Sequence, residues 1–188
     1  MQKIEYHSKK KTTLYQERDP LKRKEFLEKL NHIPIDDRIY LDESGINKYL
    51  YRTHARSIRG EQIVGEVSGM RYARESFISA LYRGKLLCPM CYKGTCNSDL
   101  FNVWLKEMLI PNLQPGQVLI LDNASFHRSE KTRALVESAG CEILFLPPYS
   151  PDLNPIEKYW ANLKVKIREL LNKYKNLTKS IDQAILSM

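Results

Sequence analysis

Apolar positions along the chain follow two periods, and the places where one gives way to the other mark its elements. Leu21, Phe26, Leu27 and Leu30 recur at roughly helical spacing behind Asp19-Pro20, a capping residue and a proline suited to a first turn, so a helix is expected up to Pro34. Arg38-Ile39-Tyr40-Leu41 reads as a buried strand running into Asp42-Glu43-Ser44-Gly45. Residues 46–95 are rich in Tyr, Arg, Val and Ile and broken at Gly60, Gly65, Gly69, Gly84 and Gly94, which predicts further strands in antiparallel pairing.

Asn97 or Ser98 then caps a helix whose apolar positions are Leu100, Phe101, Trp104, Leu105, Met108 and Leu109, ended by Pro111. Val118-Leu119-Ile120-Leu121 is a second buried strand, and it too ends in an acid, Asp122. Residues 129–139 suit a helix stopped by Gly140, and Cys141 to Leu146 suits another strand. Four of the nine prolines fall between 147 and 155, so Pro147-Pro148-Tyr149-Ser150-Pro151 is expected to be an ordered loop. From Pro155 a long helix follows, with the apolar stripe Ile156, Trp160, Leu163, Ile167, Leu170 and Tyr174; a shorter one is expected over 179–188. Strands, a helix, then strand-helix-strand-helix predict a mixed α/β domain over 36–188, preceded by a basic arm and linker helix over 1–35.

A chain of 188 residues with 43% hydrophobic and 28% charged residues holds one sizeable core, which excludes collagen-like and wholly disordered classes. No run approaches a membrane span, and the N-terminus MQKIEYHSKKKTT has no apolar signal region, so a cytoplasmic, nucleoid-associated protein without a membrane partner is expected. Four cysteines are too few for a disulfide framework; Cys88 and Cys91 with Cys96 and Cys141 imitate a zinc set but lack a second close pair. The net charge of +8 is uneven, with +4 over residues 1–35, +5 over 48–85 and +6 over 158–179 around two acidic stretches. Basic flanks of this kind suit a polyanion such as nucleic acid, each Lys or Arg releasing counterions from a phosphate; a solvated surface is the other reading.

Asp42 and Asp122 each end an apolar strand, where neighbouring loops build sites, although an Asp after a strand is also ordinary turn chemistry. Glu157 reads as the last member of a capping box, Asn154-Pro155-Ile156-Glu157, yet it lies just off the apolar stripe and heads a basic ridge that includes Lys164 and Arg168. If the three carboxylates converge, they repel one another unless a divalent cation holds them, and hard oxygen ligands suit Mg²⁺ or Mn²⁺. Two such ions about 3.5 to 4 Å apart would serve in-line displacement at a phosphodiester.

IYLDESG, VLILDNASFHRS and LFLPPYSPDLNPIEKYW resemble the three catalytic blocks of the DDE transposases of the mariner superfamily, in its bacterial insertion-sequence branch. Their order matches, and 34 residues separate Asp122 from Glu157, the interval of that group. RSIRGEQIVGEVSG and GTCNSDLFNVWL resemble the same family, so the likeness covers roughly residues 35 to 175. It implies a ribonuclease-H-like mixed sheet flanked by helices, with Asp42 on the first strand, Asp122 at the end of the fourth and Glu157 on a later helix. It further implies divalent metal at these three residues, expected as two Mg²⁺ or Mn²⁺ ions, with cleavage of transposon ends and strand transfer into target DNA as the activity.

Members of that family usually carry paired helix-turn-helix domains ahead of these blocks, where this sequence has a basic arm and one helix. DNA binding is therefore expected to rest on charge, with a separate N-terminal DNA-binding polypeptide or a longer fused product reading the ends, and a homodimer as the working form. Candidate DNA contacts are Asn123, His127, Lys158, Lys164 and Arg168. For Asn123 the competing role is a turn-stabilising side chain, and for His127 a surface-loop histidine. Trp104 and Trp160 are expected in the core. The alternatives for the whole chain are a structure-selective nuclease that cuts without joining, and an inactive remnant that binds DNA or dimerises.

Overall fold

The computed structural model describes residues 15–47, 62, 64 and 74–188. The basic arm before Tyr15 and most of the basic stretch from 48 lie outside the described residues, as do the breaks at Gly60, Gly65 and Gly69. Among the described residues five strands make one sheet: β1 (Arg38–Asn47), β2 (Arg74–Tyr82), β3 (Lys85–Lys93), β4 (Val118–Leu121) and β5 (Glu142–Phe145), in the order β3-β2-β1-β4-β5. β1, β2 and β3 run antiparallel as a meander, the predicted pairing, while β4 and β5 join parallel to β1. The parallel half needs crossovers, and the helices α2 (Ser98–Trp104) and α3 (Glu130–Ser138) supply them.

Alternation along each strand divides the core between two faces. Ile39 and Leu41 of β1, Ile78 and Ala80 of β2, and Leu119 and Leu121 of β4 pack with Phe101, Trp104, Leu105, Leu109 and Val136 on one side. The opposite side of β1 and β2 takes α4 (Ile156–Tyr174) and α5 (Leu177–Leu186): Ile46, Phe77 and Leu81 meet Ile156, Trp160, Leu163, Ile167, Ile181 and Ala184. Leu170 and Tyr174 extend the predicted α4 stripe only half-buried. Beyond Trp104, α2 continues as one π-helical turn over Leu105–Leu109, which keeps Leu105 and Leu109 fully inside.

The first helix, α1 (Pro20–Asn31), begins as predicted, with the Asp19 carboxylate accepting from the Leu21 and Lys22 amides. Its buried face is narrower than the spacing implied. Phe26 and Leu30 pack on Val118, Ile120 and Leu146, whereas Leu21 is 72% and Leu27 39% exposed, because the helix meets the sheet along one thin seam. Arg38 donates to the carbonyls of Leu30 and Ile33, and Arg23 grips Asp152 through two hydrogen bonds of 2.9 and 2.8 Å, so α1 is tied to the sheet and to the loop before α4. Phe26→Ala is expected to lower unfolding free energy by roughly 3–5 kcal/mol, while Leu21→Ala stays within about 0.5 kcal/mol; urea denaturation followed by circular dichroism checks both.

Candidate active site

β1 and β4 place the two aspartates. Their parallel register pairs Arg38 with Val118, Ile39 with Leu119 and Tyr40 with Ile120. Carried two residues further, it sets Asp42 opposite Asp122, both on the face that Tyr40 and Ile120 share, just where the ladder stops. Asn154 enters there: it is 4% exposed, and its Nδ2 donates to the Leu41 carbonyl at 3.2 Å. This anchor fixes the start of α4 beside the middle of β1, where its pairing with β4 stops, and brings Glu157, in the first helical turn, to the same cleft. Asp42, Asp122 and Glu157 together line a cleft of about 400 Å³.

The capping box expected at Asn154 does not form, because Asn154 turns its side chain into the sheet instead. No side chain caps α4, Pro155 opens it, and Asn154 Oδ1 has no partner among the described residues. Glu157 is thereby left without a capping partner and exposed in the cleft.

Two further side chains orient the aspartates. Trp160, one turn after Glu157, sits in the core as expected, 5.0 Å from the ring of Phe77, and its indole N–H donates to Asp42 Oδ2 at 3.0 Å. His127 is 1% exposed, with the rings of Phe101 and Phe126 packed against it at 4.5 and 4.3 Å. Its Nδ1 donates to Asp122 Oδ1 at 2.8 Å and its Nε2 to Glu43 Oε1 at 2.9 Å. A histidine with both nitrogens engaged this way, and closed from solvent, is neither a surface-loop residue nor a direct phosphate contact. It is a strut between β1 and the exit of β4.

Burial pushes the Asp42 carboxyl up to about 8, reinforced by the negative charge of Glu157, Glu43 and Asp122. Burial also raises Glu157, with Lys164 opposing and Asp122 adding to it. For Asp122 burial is outweighed by the bonds from His127 and the Ala124 amide, which hold it below the usual carboxylate range. Burial likewise opposes the charge on His127, but Asp122 and Glu43 overcome it and raise the imidazole to about 9, so both of its nitrogens carry protons. Lys164 is half-buried and held below its ordinary value by burial, against the attraction of Glu157.

The donor set fits a hard divalent cation: acid oxygens, an excess of negative charge, and one carboxyl that burial and like charge keep from ionising. Among the described residues no three Asp, Glu, His or Cys side chains close into a ready cage around an ion.

Of the remaining sequence candidates, Lys158 and Arg168 are exposed on α4. Asn123 lines the cleft, but its amide is bonded to the Leu146 carbonyl and its oxygen takes the Arg128 guanidinium, so it chiefly ties the exits of β4 and β5. Glu43 is not among the sequence candidates, although its place beside Asp42 in IYLDES is a signal. Arg74 had none: it lies against Gly45, where a Cβ would fall 2.3 Å from its Nε, and it lines a second cleft of about 340 Å³ on the other side of Asp42 and Asp122. The four cysteines are free, and Cys88 and Cys91 sit in β3 as expected.

Residues 37–179 match the family model of the DDE superfamily endonucleases. The chain belongs to this family. A protein of Sinorhizobium fredii (strain NBRC 101917 / NGR234), "Uncharacterized protein y4pE/y4sA", is 31% identical over 86 residues, which is 42% of this chain and 61% of that protein. Among solved structures, the Mos1 transposase paired-end complex with left transposon end matches with a TM-score of 0.70 and 17% identity over 97% of this chain, and the Mos1 mariner paired end complex with Mn with a TM-score of 0.69 and 17% identity over the same share. This chain spans 60% of the length of each of those transposase chains. The simian T-cell lymphotropic virus intasome matches at a TM-score of 0.55 and 16% identity, over 81% of this chain and 48% of that one. The fold of this DDE-family chain is thus ribonuclease-H-like, a mixed sheet flanked by helices.

The acids of this DDE-family chain set its response to pH. His127, raised to about 9 from an ordinary 6.5, stabilises the fold fully below pH 6.5 and loses that contribution as pH rises through about 9. Asp42, raised to about 8 from 3.8, acts in the same direction, favouring the folded chain while it holds its proton. In EDTA the melting temperature is therefore expected to fall between pH 6.5 and 9, and His127→Gln to flatten that fall. Thermal melts across the range check it, and a rise with pH would contradict the assignment.

Proposed function

We propose that this chain is the catalytic domain of a transposase that cleaves DNA and joins the freed strand to a target, using Asp42, Asp122 and Glu157 to hold Mg²⁺ or Mn²⁺ as two ions. The observation that carries the reading is the register of β1 and β4, which sets two aspartates side by side on the cleft that Glu157 also lines. Membership in the DDE superfamily endonucleases supports it, and the Mos1 mariner paired end complexes with Mn and with Mg support the choice of metal for that fold. When bound, the metal would supply a water nucleophile active at neutral pH and a positive charge for the leaving oxygen.

In the first displacement the oxygen of water attacks phosphorus and the 3′ oxygen of the cut strand leaves as a hydroxyl. In the second, that hydroxyl attacks a target phosphodiester and the target's own 3′ oxygen leaves. The residues of the chain prepare the site for both. Trp160 holds Asp42 through one oxygen, His127 holds Asp122 and shares its charge with Glu43, and Asn154 keeps α4 in register with β1. Lys164 faces Glu157 and Asp42 and favours a phosphate above them, with Lys158 and Arg168 further along α4. Transposon ends, target DNA, a second copy of the chain and an N-terminal DNA-binding polypeptide are the partners this reading requires.

Asp42→Asn, Asp122→Asn and Glu157→Gln are expected to lower metal-dependent cleavage by more than the ~10–100-fold typical of losing an outer partner of a ligand, with melting temperatures kept or raised for Asp42→Asn and Glu157→Gln and lowered for Asp122→Asn, which takes a negative partner from the buried His127. His127→Gln and Glu43→Gln should fall within that ~10–100-fold range. Cleavage of a labelled duplex checks the acids, and a pre-nicked end offered with target DNA checks joining. Cutting without joining would leave a structure-selective nuclease of the same fold. Full cleavage by Glu157→Gln would remove the glutamate from the site.

A further inference from the structure

The wall of the cleft facing the acids is aromatic. Tyr15 and Tyr149 both line it, 53% and 57% exposed, with ring centroids 6.0 Å apart and planes at 44°. Tyr149 is held rather than loose. Its backbone is left-handed at φ 53, Pro147, Pro148 and Pro151 stiffen the loop around it, and buried Ser150 anchors the loop by donating to the Pro148 carbonyl at 3.1 Å. The paired bonds of Arg23 to Asp152 tie the same loop to α1, which begins just after Tyr15. A bulky side chain kept in a left-handed conformation, with its ring in solvent, needs an explanation in what it meets.

What meets it is indicated by the neighbouring groove. A second depression of about 260 Å³ opens off the cleft, shares Asn123, Leu146, Pro147 and Pro148 with it, and carries three cations, Lys22, Lys29 and Arg128, against one acid, Glu25. One continuous surface thus runs from basic side chains, past two exposed rings, to three carboxylates. A polymer with phosphates at one edge and flat apolar rings at the other is complementary to it, and single-stranded nucleic acid has that make-up. Along a duplex the base faces are covered by their neighbours, which leaves phosphates and groove edges but no free ring face.

We propose that Tyr15 and Tyr149 form a stacking platform for an unpaired nucleobase of the strand whose phosphodiester lies against Asp42, Asp122 and Glu157, while Lys22, Lys29 and Arg128 take the flanking phosphates. The proposal rests on the DNA-processing reading above and adds to it the state of the substrate: the strand end enters the cleft unpaired. Stacking is indifferent to base identity, so the platform selects unpaired ends over paired ones without reading sequence.

The test uses the full chain in EDTA, where nothing is cut, and two duplexes differing only in whether the terminal nucleotide, 2-aminopurine, is paired. Binding to the unpaired end is expected to quench its fluorescence. Tyr149→Ala should abolish the quenching and weaken binding of the unpaired end by about 5- to 150-fold, with binding of the paired end within about twofold of the parent. Tyr149→Phe should keep both properties, and circular dichroism confirms the fold of each variant. Tight binding with equal quenching by parent and Tyr149→Ala would overturn the platform alone. Failure of the parent to bind either duplex would overturn the DNA-processing reading together with it.

Discussion

Everything at the candidate site depends on the parallel pairing of β1 with β4 in one register. A strand's side chains alternate between faces, so sliding β4 by a single residue would send Asp122 into the α2–α3 core and leave Asp42 alone. The register is held by burial, since Ile39, Leu41, Leu119 and Leu121 are all at most 1% exposed on one face while Ile120 is fully buried on the other. The hydrophobic core therefore does more than stabilise the chain. It sets two like charges opposite one another at the point where the sheet opens.

That arrangement works against stability. Burial and the neighbouring acids hold Asp42 in its protonated form well above the usual carboxylate range, and Glu157 is raised for the same reason. The fold offsets part of this strain with a buried imidazolium between Glu43 and Asp122 and an indole N–H on Asp42, both fixed by aromatic packing. No described lysine or arginine is paired with Asp42 or Glu157 at salt-bridge distance. The missing positive charge is what a divalent ion would bring, so that ion binding relieves a conflict built by the strands.

The strands and helices were legible because their periods are clean. The apolar run before Asp122 marked the end of β4, whereas Asp42 lies mid-strand, because β1 runs on to Asn47 in its pairing with β2; Asp19 and Asn97 marked helix starts, and both side chains accept from their helix's first-turn amides. Which strands neighbour one another is a property of the whole sheet and came only through likeness to a family. The capping box failed because a local motif lost to a distant demand: the Leu41 carbonyl, at the end of the ladder, takes the Asn154 side chain. His127 was misjudged for a similar reason, since five residues from Asp122 in a polar loop looks exposed until Phe101 of α2 closes over it. Trp160 was placed in the core, but its bond to Asp42 spans 118 positions and leaves no trace in local spacing.

The central claim is that register and helix placement make three carboxylates into one metal site. Crystals soaked in Mn²⁺ and measured at the manganese absorption edge test it most directly. Anomalous density between the carboxylates of Asp42 and Asp122, with Glu157 turned toward it and the signal lost in Asp42→Asn, is the expected result. Manganese bound only elsewhere on the chain, with Asp42 and Asp122 unmoved and unshared, would contradict it.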